Sequence, residues 1–138
     1  MNPFLNSVKS FVHENTINFK SKENSTFKEK YNFEKRKNES ELILAKYPNR
    51  IPIICERYDK TLPHLDRKKY LVPEDLIMSN FLYVIRKRLK LDAHKSLYIT
   101  VNNKIPPLSR SVSTIYEKFC DEDGFLYIKY CEETTFGL

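Results

Sequence analysis

The order in which strand-like and helix-like stretches follow one another restricts this chain to few architectures. Residues 50–58, RIPIICERY, are rich in β-branched side chains and read as a strand. Lys68-Lys69-Tyr70-Leu71-Val72 is a second short strand, which Pro73 ends. A helix follows, with Phe81, Val84, Ile85 and Leu89 on one face and Arg86, Lys87, Arg88 and Lys90 on the others. Glu74 and Asp75 stand where the first turn of that helix favours negative charge. Residues 97–102, LYITVN, make a third strand, and Asn102-Asn103 a turn. Ser111 or Ser113 can cap a short helix reaching Cys120, and Asp123-Gly124 turns into a last strand from Phe125 to Cys131. Upstream, the charged stretch from Phe33 to Tyr47 is a helix that stops at Tyr47-Pro48, because the residue before a proline disfavours the helical region.

Two strands, a crossing helix and two more strands match the β-grasp layout of ubiquitin. The fold class is then α+β, a four-stranded mixed sheet crossed by a helix, with additional N-terminal helices. The order alone also fits other α+β folds. Pro52 places its strand at an edge or a start, or leaves one side of it unpaired. Lys68 to Val72, flanked by prolines and loops, reads as a sheet edge whose free N–H and C=O groups an extended peptide can satisfy by strand addition.

At 138 residues the chain is the size of one domain. A chain of that length buries about two-thirds of its unfolded surface, enough for a core without disulfides. No apolar run approaches the ~20 residues of a membrane span, so membrane contact would be peripheral or covalent. Cys55, Cys120 and Cys131 lie far apart, without CxxC spacing or a nearby histidine, and His13, His64 and His94 are scattered. That speaks against metal, cofactor and catalytic residues. The three cysteines read as free, buried, small apolar side chains of a cytosolic protein without a signal peptide. The net charge of +6 calls for an acidic partner or surface, or is simply a basic solvated exterior. Glycine is scarce: Gly124 and Gly137 stand alone where average usage gives roughly ten.

Residues 1–32 form an extension rich in Asn, Lys, Ser and Thr. Within it Phe4, Leu5, Val8, Phe11 and Val12 recur on one helical face. The extension is therefore either a short amphipathic helix that docks on the domain or a membrane, or a disordered tail. Residues 33–131 form the domain, and 132–138 a flexible tail.

Seven stretches carry a family resemblance, in one order and over residues 33–138. They are Phe33-Glu34-Lys35-Arg36, Lys46-Tyr47-Pro48-Asn49-Arg50-Ile51-Pro52, Lys68-Lys69-Tyr70-Leu71-Val72-Pro73 and Ile85-Arg86-Lys87-Arg88-Leu89. The other three are Val101-Asn102-Asn103-Lys104-Ile105-Pro106-Pro107, Gly124-Phe125-Leu126-Tyr127 and Phe136-Gly137-Leu138. The chain resembles the autophagy ubiquitin-like modifiers, the group of GABA-receptor-associated protein and microtubule-associated protein light chain. Its extension before Phe33 is longer than in typical members, and its subfamily signals are mixed.

The resemblance implies a processing cysteine protease that cuts after Gly137 and removes Leu138. It implies activating and conjugating enzymes that pass Gly137 to phosphatidylethanolamine. The product sits on the autophagosome membrane through its lipid anchor, the unconjugated protein in the cytoplasm. A glycine suits this route because it lacks a Cβ and lets another backbone approach closely. The resemblance also implies receptors with aromatic-x-x-aliphatic motifs beside acidic residues. Glu39, Ile43, Pro52, Ile54, Lys69, Leu71 and Phe125 would take the aromatic residue. Tyr70, Val72, Pro73, Leu76, Phe81 and Val84 would take the aliphatic one, and Arg50, Arg67 and Arg88 would face the acidic flank. Many of these positions read equally as ordinary core.

Two other readings keep a place. One is an unconjugated adaptor of the same fold that only binds peptides. The other is a basic RNA-binding module that stacks bases on Phe125-Leu126-Tyr127-Ile128-Lys129-Tyr130, although the basic-aromatic signature of RNA-recognition domains is absent and no nucleic acid is expected.

Overall fold

The computed structural model describes residues 9–10 and 25–132. In chain order the elements are β1 (Lys9–Ser10), α1 (Phe27–Lys30), α2 (Phe33–Lys46), β2 (Arg50–Arg57), β3 (Lys69–Pro73), α3 (Met78–Leu89), β4 (Tyr98–Thr100), α4 (Val112–Phe119) and β5 (Leu126–Cys131). The sheet runs in the order β1-β3-β2-β5-β4. β2 and β5 lie parallel at its centre, and the other neighbours are antiparallel. Strands β2 to β5 are the expected four-stranded mixed sheet of an α+β, ubiquitin-like β-grasp fold, with α3 packed across one face.

β1 is a fifth strand that the sequence reading lacks. At Lys9 and Ser10 the backbone is extended and paired with β3, not helical. An edge strand offers these residues ladder hydrogen bonds, whereas an isolated helix of that length is marginal in water. Phe4, Leu5, Val8, Phe11 and Val12 lie outside the described residues.

Of the readings open for Pro52, one side left unpaired is the one that holds. β2 is central, but its parallel ladder with β5 begins only at Ile53. Cys55 donates its N–H to the Lys68 carbonyl on the β3 side, so the N–H groups of Ile51 and Ile53 also face β3 and the Pro52 nitrogen faces the other way. There no strand waits for the missing donor.

α3 starts later than the acidic pair suggests. Its first residue is Met78, and its first turn holds no acid. Before it Glu74 and Asp75 lie in a turn closed by Leu76 N–H on the Pro73 carbonyl at 3.1 Å, and tertiary pairing takes the groups that a longer helix would use: Ser113 N–H donates to the Glu74 carbonyl at 3.0 Å, Val112 N–H to the Leu76 carbonyl at 2.7 Å, and Met78 N–H to the Arg110 carbonyl at 2.9 Å. Ser111, not Ser113, caps α4, its hydroxyl accepting from Thr114 N–H. Asn102 and Asn103 form the expected turn, at φ 51 and 62, and Val101 pairs back with Lys104 across it.

Strand alternation divides the interior in two. Ile51, Ile53, Cys55, Tyr70, Val72, Leu126, Ile128 and Tyr130 point toward α3 and meet Phe81, Val84, Ile85 and Leu89 in the main core. Ile54, Leu71 and Phe125 point the other way and meet Ile43 of α2 and Phe27 of α1. The Tyr130 hydroxyl donates to the Pro63 carbonyl at 2.7 Å and accepts from Leu65 N–H, which pins the loop after β2 over the main core.

Cys55 and Cys131 are buried free thiols, and burial pushes Cys131 up to about 11. Cys120 departs from the expectation of three buried cysteines. It is exposed, because it follows α4 at the point where the chain leaves the helix.

Candidate functional site

The outer edge of β3 is the natural starting point, because β2 already satisfies its inner side. The pairs Ile53–Tyr70 and Ile51–Val72 turn the N–H groups of Tyr70 and Val72 inward. Lys69 and Leu71 therefore turn theirs outward, and Pro73 has none to offer. The Arg50 guanidinium approaches the outward Leu71 carbonyl at 3.4 Å. Lys9 stands directly opposite Leu71, and Ser10 opposite Tyr70.

Behind this edge, on the α2 side, the structure brings together most of the residues expected to line an aromatic pocket. Ile43, Ile54, Leu71 and Phe125 form one buried cluster, and Pro52, also buried, pairs with Leu71 across β2 and β3. Lys69 reaches Glu39 at 2.6 Å, both side chains largely covered. The cluster is not empty, since Phe27 is packed into it at 3% exposure, edge-on to Phe125 with ring centroids 5.3 Å apart. The Lys69 ammonium lies 5.3 Å from the Phe27 ring centre and 5.7 Å from that of Tyr31.

Phe27 falls in the stretch that the sequence reading assigns to the extension, yet α1 is firmly seated. Phe27 N–H donates to Glu56 at 3.0 Å, Lys68 bridges Glu56 and the Ser25 carbonyl, and Lys28 pairs with Asp121 at 2.6 Å. The packed unit therefore begins before Phe33. A local signal for it exists: Thr26 and Glu29 form a capping box, each side chain satisfying the other's backbone N–H.

The six residues expected to hold the aliphatic side chain divide differently. Tyr70, Val72, Leu76, Phe81 and Val84 are buried in the main core on the α3 side, and Pro73 is half-buried at the strand end. They stand as core first, so a ligand side chain entering there must part packed neighbours.

The three arginines do not converge. Arg50 pairs with Pro73 at one end of β3, while the exposed Arg67 precedes its other end. Arg88 lies near that second end, 3.7 Å from Asp66 and with its guanidinium 5.4 Å from the Tyr70 ring centre. Acidic residues on one flank of a short peptide can meet one end of the edge, not both.

One group missing from the sequence reading organises this side of the sheet. Asp123 is wholly buried and its carboxylate accepts from Arg36 Nε at 2.9 Å, from Phe125 N–H at 2.9 Å and from the Tyr127 hydroxyl. The Ser40 hydroxyl donates to the Asp123 carbonyl. Together these tie α2 to the turn before β5 and fix Phe125. Burial, then the hydrogen bond to Asp123, drives the Tyr127 phenol far above its usual range. The turn needs Gly124, whose φ is +91 and where a Cβ would run into Ser40. The separation of Asp123 from Arg36 in the chain hides the pair from any local pattern.

β5 does not present a stacking surface for bases. It lies between β2 and β4 with Phe125, Leu126, Ile128 and Tyr130 buried. Gly137 and Leu138 fall outside the described residues.

Residues 35–137 match the model of the family described as "Autophagy protein Atg8 ubiquitin like". Autophagy-related protein 8 of Eremothecium gossypii is 52% identical over 114 residues, which cover 82% of this chain and 95% of that protein. Its counterpart in Schizosaccharomyces pombe is 54% identical over 82% of this chain and 94% of that protein. The crystal structure of Trypanosoma brucei ATG8 superposes with a TM-score of 0.74 at 42% identity, covering 79% of this chain and 95% of that one.

Proposed function

The chain belongs to the Atg8 family of autophagy ubiquitin-like proteins, and from that membership we propose that it is a modifier joined to phosphatidylethanolamine through Gly137. Proteins of this family are ubiquitin-like modifiers rather than catalysts. In this reading a cysteine protease cuts after Gly137 and releases Leu138. An activating and a conjugating enzyme then carry the glycine as thioesters to the lipid amine. The protein moves from the cytoplasm to the autophagosome membrane, held by the lipid. There it recruits receptors whose aromatic-x-x-aliphatic motifs add to the outer edge of β3.

The observation that carries the conjugation reading is where the family match ends: at residue 137, on the second of only two glycines in the chain. An acceptor there must enter narrow active sites, and a residue without a Cβ offers the least obstruction to another backbone. The peptide reading is supported by the outward N–H groups of Lys69 and Leu71 beside an apolar cluster whose rim carries Lys69 and Glu39.

Reconstitution tests the conjugation directly. Protein ending at Gly137, mixed with the activating and conjugating enzymes, ATP and liposomes containing phosphatidylethanolamine, gives a faster-migrating lipid adduct. The full chain gives it only when the protease is added. An absence of adduct from the form ending at Gly137, with enzymes that act on a known relative, rejects the reading.

A further inference from the structure

The edge of β3 already carries a strand, and that strand comes from outside the stretch matched by the family. We propose that the N-terminal segment holding Lys9 and Ser10 is an intramolecular competitor, occupying the edge that acidic aromatic-x-x-aliphatic peptides use. The proposal rests on the peptide-binding reading above and adds its regulation.

The edge is short. Of the five residues in β3, two turn an N–H outward, Lys69 and Leu71, since Pro73 has none. Lys9 opposite the outward-facing Leu71 makes a hydrogen-bonded pair, in which each residue gives its N–H to the other's carbonyl. One of the two outward donors is thus taken, and it is the central one. A second strand cannot pair with Leu71 while Lys9 does, so the two occupants exclude each other.

Reach favours the internal strand. The Ser25 carbonyl accepts from Lys68 at 2.9 Å, which places the start of the packed unit beside the residue preceding β3. The 14 residues from 11 to 24 link it to Ser10, and a chain of that length can span roughly 45 Å when extended. The tether keeps the segment at millimolar-order effective concentration beside the edge. A receptor peptide displaces it only by offering more than the Leu71 pair, and the anchoring of an aromatic and an aliphatic side chain supplies the difference.

The register dictates a test on the full chain. Proline at residue 9 removes the N–H that faces Leu71. Proline at residue 10 does not, because Ser10 opposes Tyr70, whose ladder groups face β2, and a proline there also favours extended backbone at Lys9. Binding is measured by calorimetry with a synthetic peptide in which aspartates precede a tryptophan, two spacers and a leucine. Hydrogen exchange at the Leu71 amide is followed in the same proteins. We expect Lys9→Pro to tighten binding by about fivefold or more, one to two net hydrogen bonds being released, and to speed Leu71 exchange. Ser10→Pro leaves both as in the parent. Equal affinity in all three proteins overturns the competition and leaves peptide binding standing. No binding by any of them, with Leu71 exchange faster in Lys9→Pro, overturns the competition together with the peptide reading.

Discussion

The two faces of this sheet are built from the same strands yet carry different chemistry. Toward α3, alternate residues of β2, β3 and β5 form a continuous apolar core. Toward α2, the intervening residues form a small cluster around Phe27, ringed by charges: Lys69 with Glu39, Lys68 with Glu56, Arg36 with the buried Asp123. The α3 face draws its stability from area removed from water, which needs no partner geometry. The α2 face depends on matched pairs, which cost more to break than they contribute by existing. The contrast assigns the permanent part of the fold to one side and the reconfigurable part, with the residues expected to take an aromatic side chain, to the other.

Truncating the α3 side should do the most damage. Phe81→Ala empties a site with no exposed atoms and should lower unfolding stability by about 4 kcal/mol, read from urea denaturation. On the α2 side, Arg36→Ala strands the Asp123 carboxylate without its cation and should cost about 3 kcal/mol. Adding Asp123→Asn should recover part of that loss, since the uncompensated charge is the cause; a further loss of the same size would mean that packing, not charge, holds this face. Gly124→Ala should cost roughly 2 kcal/mol, from the left-handed backbone together with the clash at Ser40.

The smallest effect is tied to pH. Burial raises the Asp121 carboxyl, but hydrogen bonds from Lys28 and from Asp123 N–H outweigh it and hold the group below its usual value. A carboxyl depressed on folding adds stability above its unfolded pKa of about 3.9, and that stability disappears as pH falls through the lower folded value. Lys28 is half exposed, so solvent screening limits the contribution to about 0.5 kcal/mol. Asp121→Asn should therefore be slightly less stable than the parent near neutral pH and indistinguishable from it in strong acid.

The strands and the long helices were legible because each has a period or a breaker of its own. RIPIICERY is β-branched, Tyr47-Pro48 stops α2, and Asn102-Asn103 tolerates the left-handed turn. The alternation in Lys69-Tyr70-Leu71-Val72 places Tyr70 and Val72 in the main core and Leu71 in the cluster on the other face. Interactions between distant parts of the chain were not legible. The Glu74 and Leu76 carbonyls accept from the N–H groups of residues 113 and 112, so the helix begins later than its acidic lead suggests. Phe27 reaches Phe125, and Arg36 reaches Asp123, across most of the domain's length. β1 depends on a free edge that exists only once β2 and β3 have paired.

The proposed point of attachment to lipid is Gly137. Mass spectrometry of the C-terminal peptide, taken from protein isolated from its own cells during starvation, tests it most directly. Trimming and conjugation give a peptide ending at Gly137, part of it joined by an amide bond to phosphatidylethanolamine and recovered with membranes. A peptide that continues into Leu138 in every fraction, with no lipid attached, would contradict it.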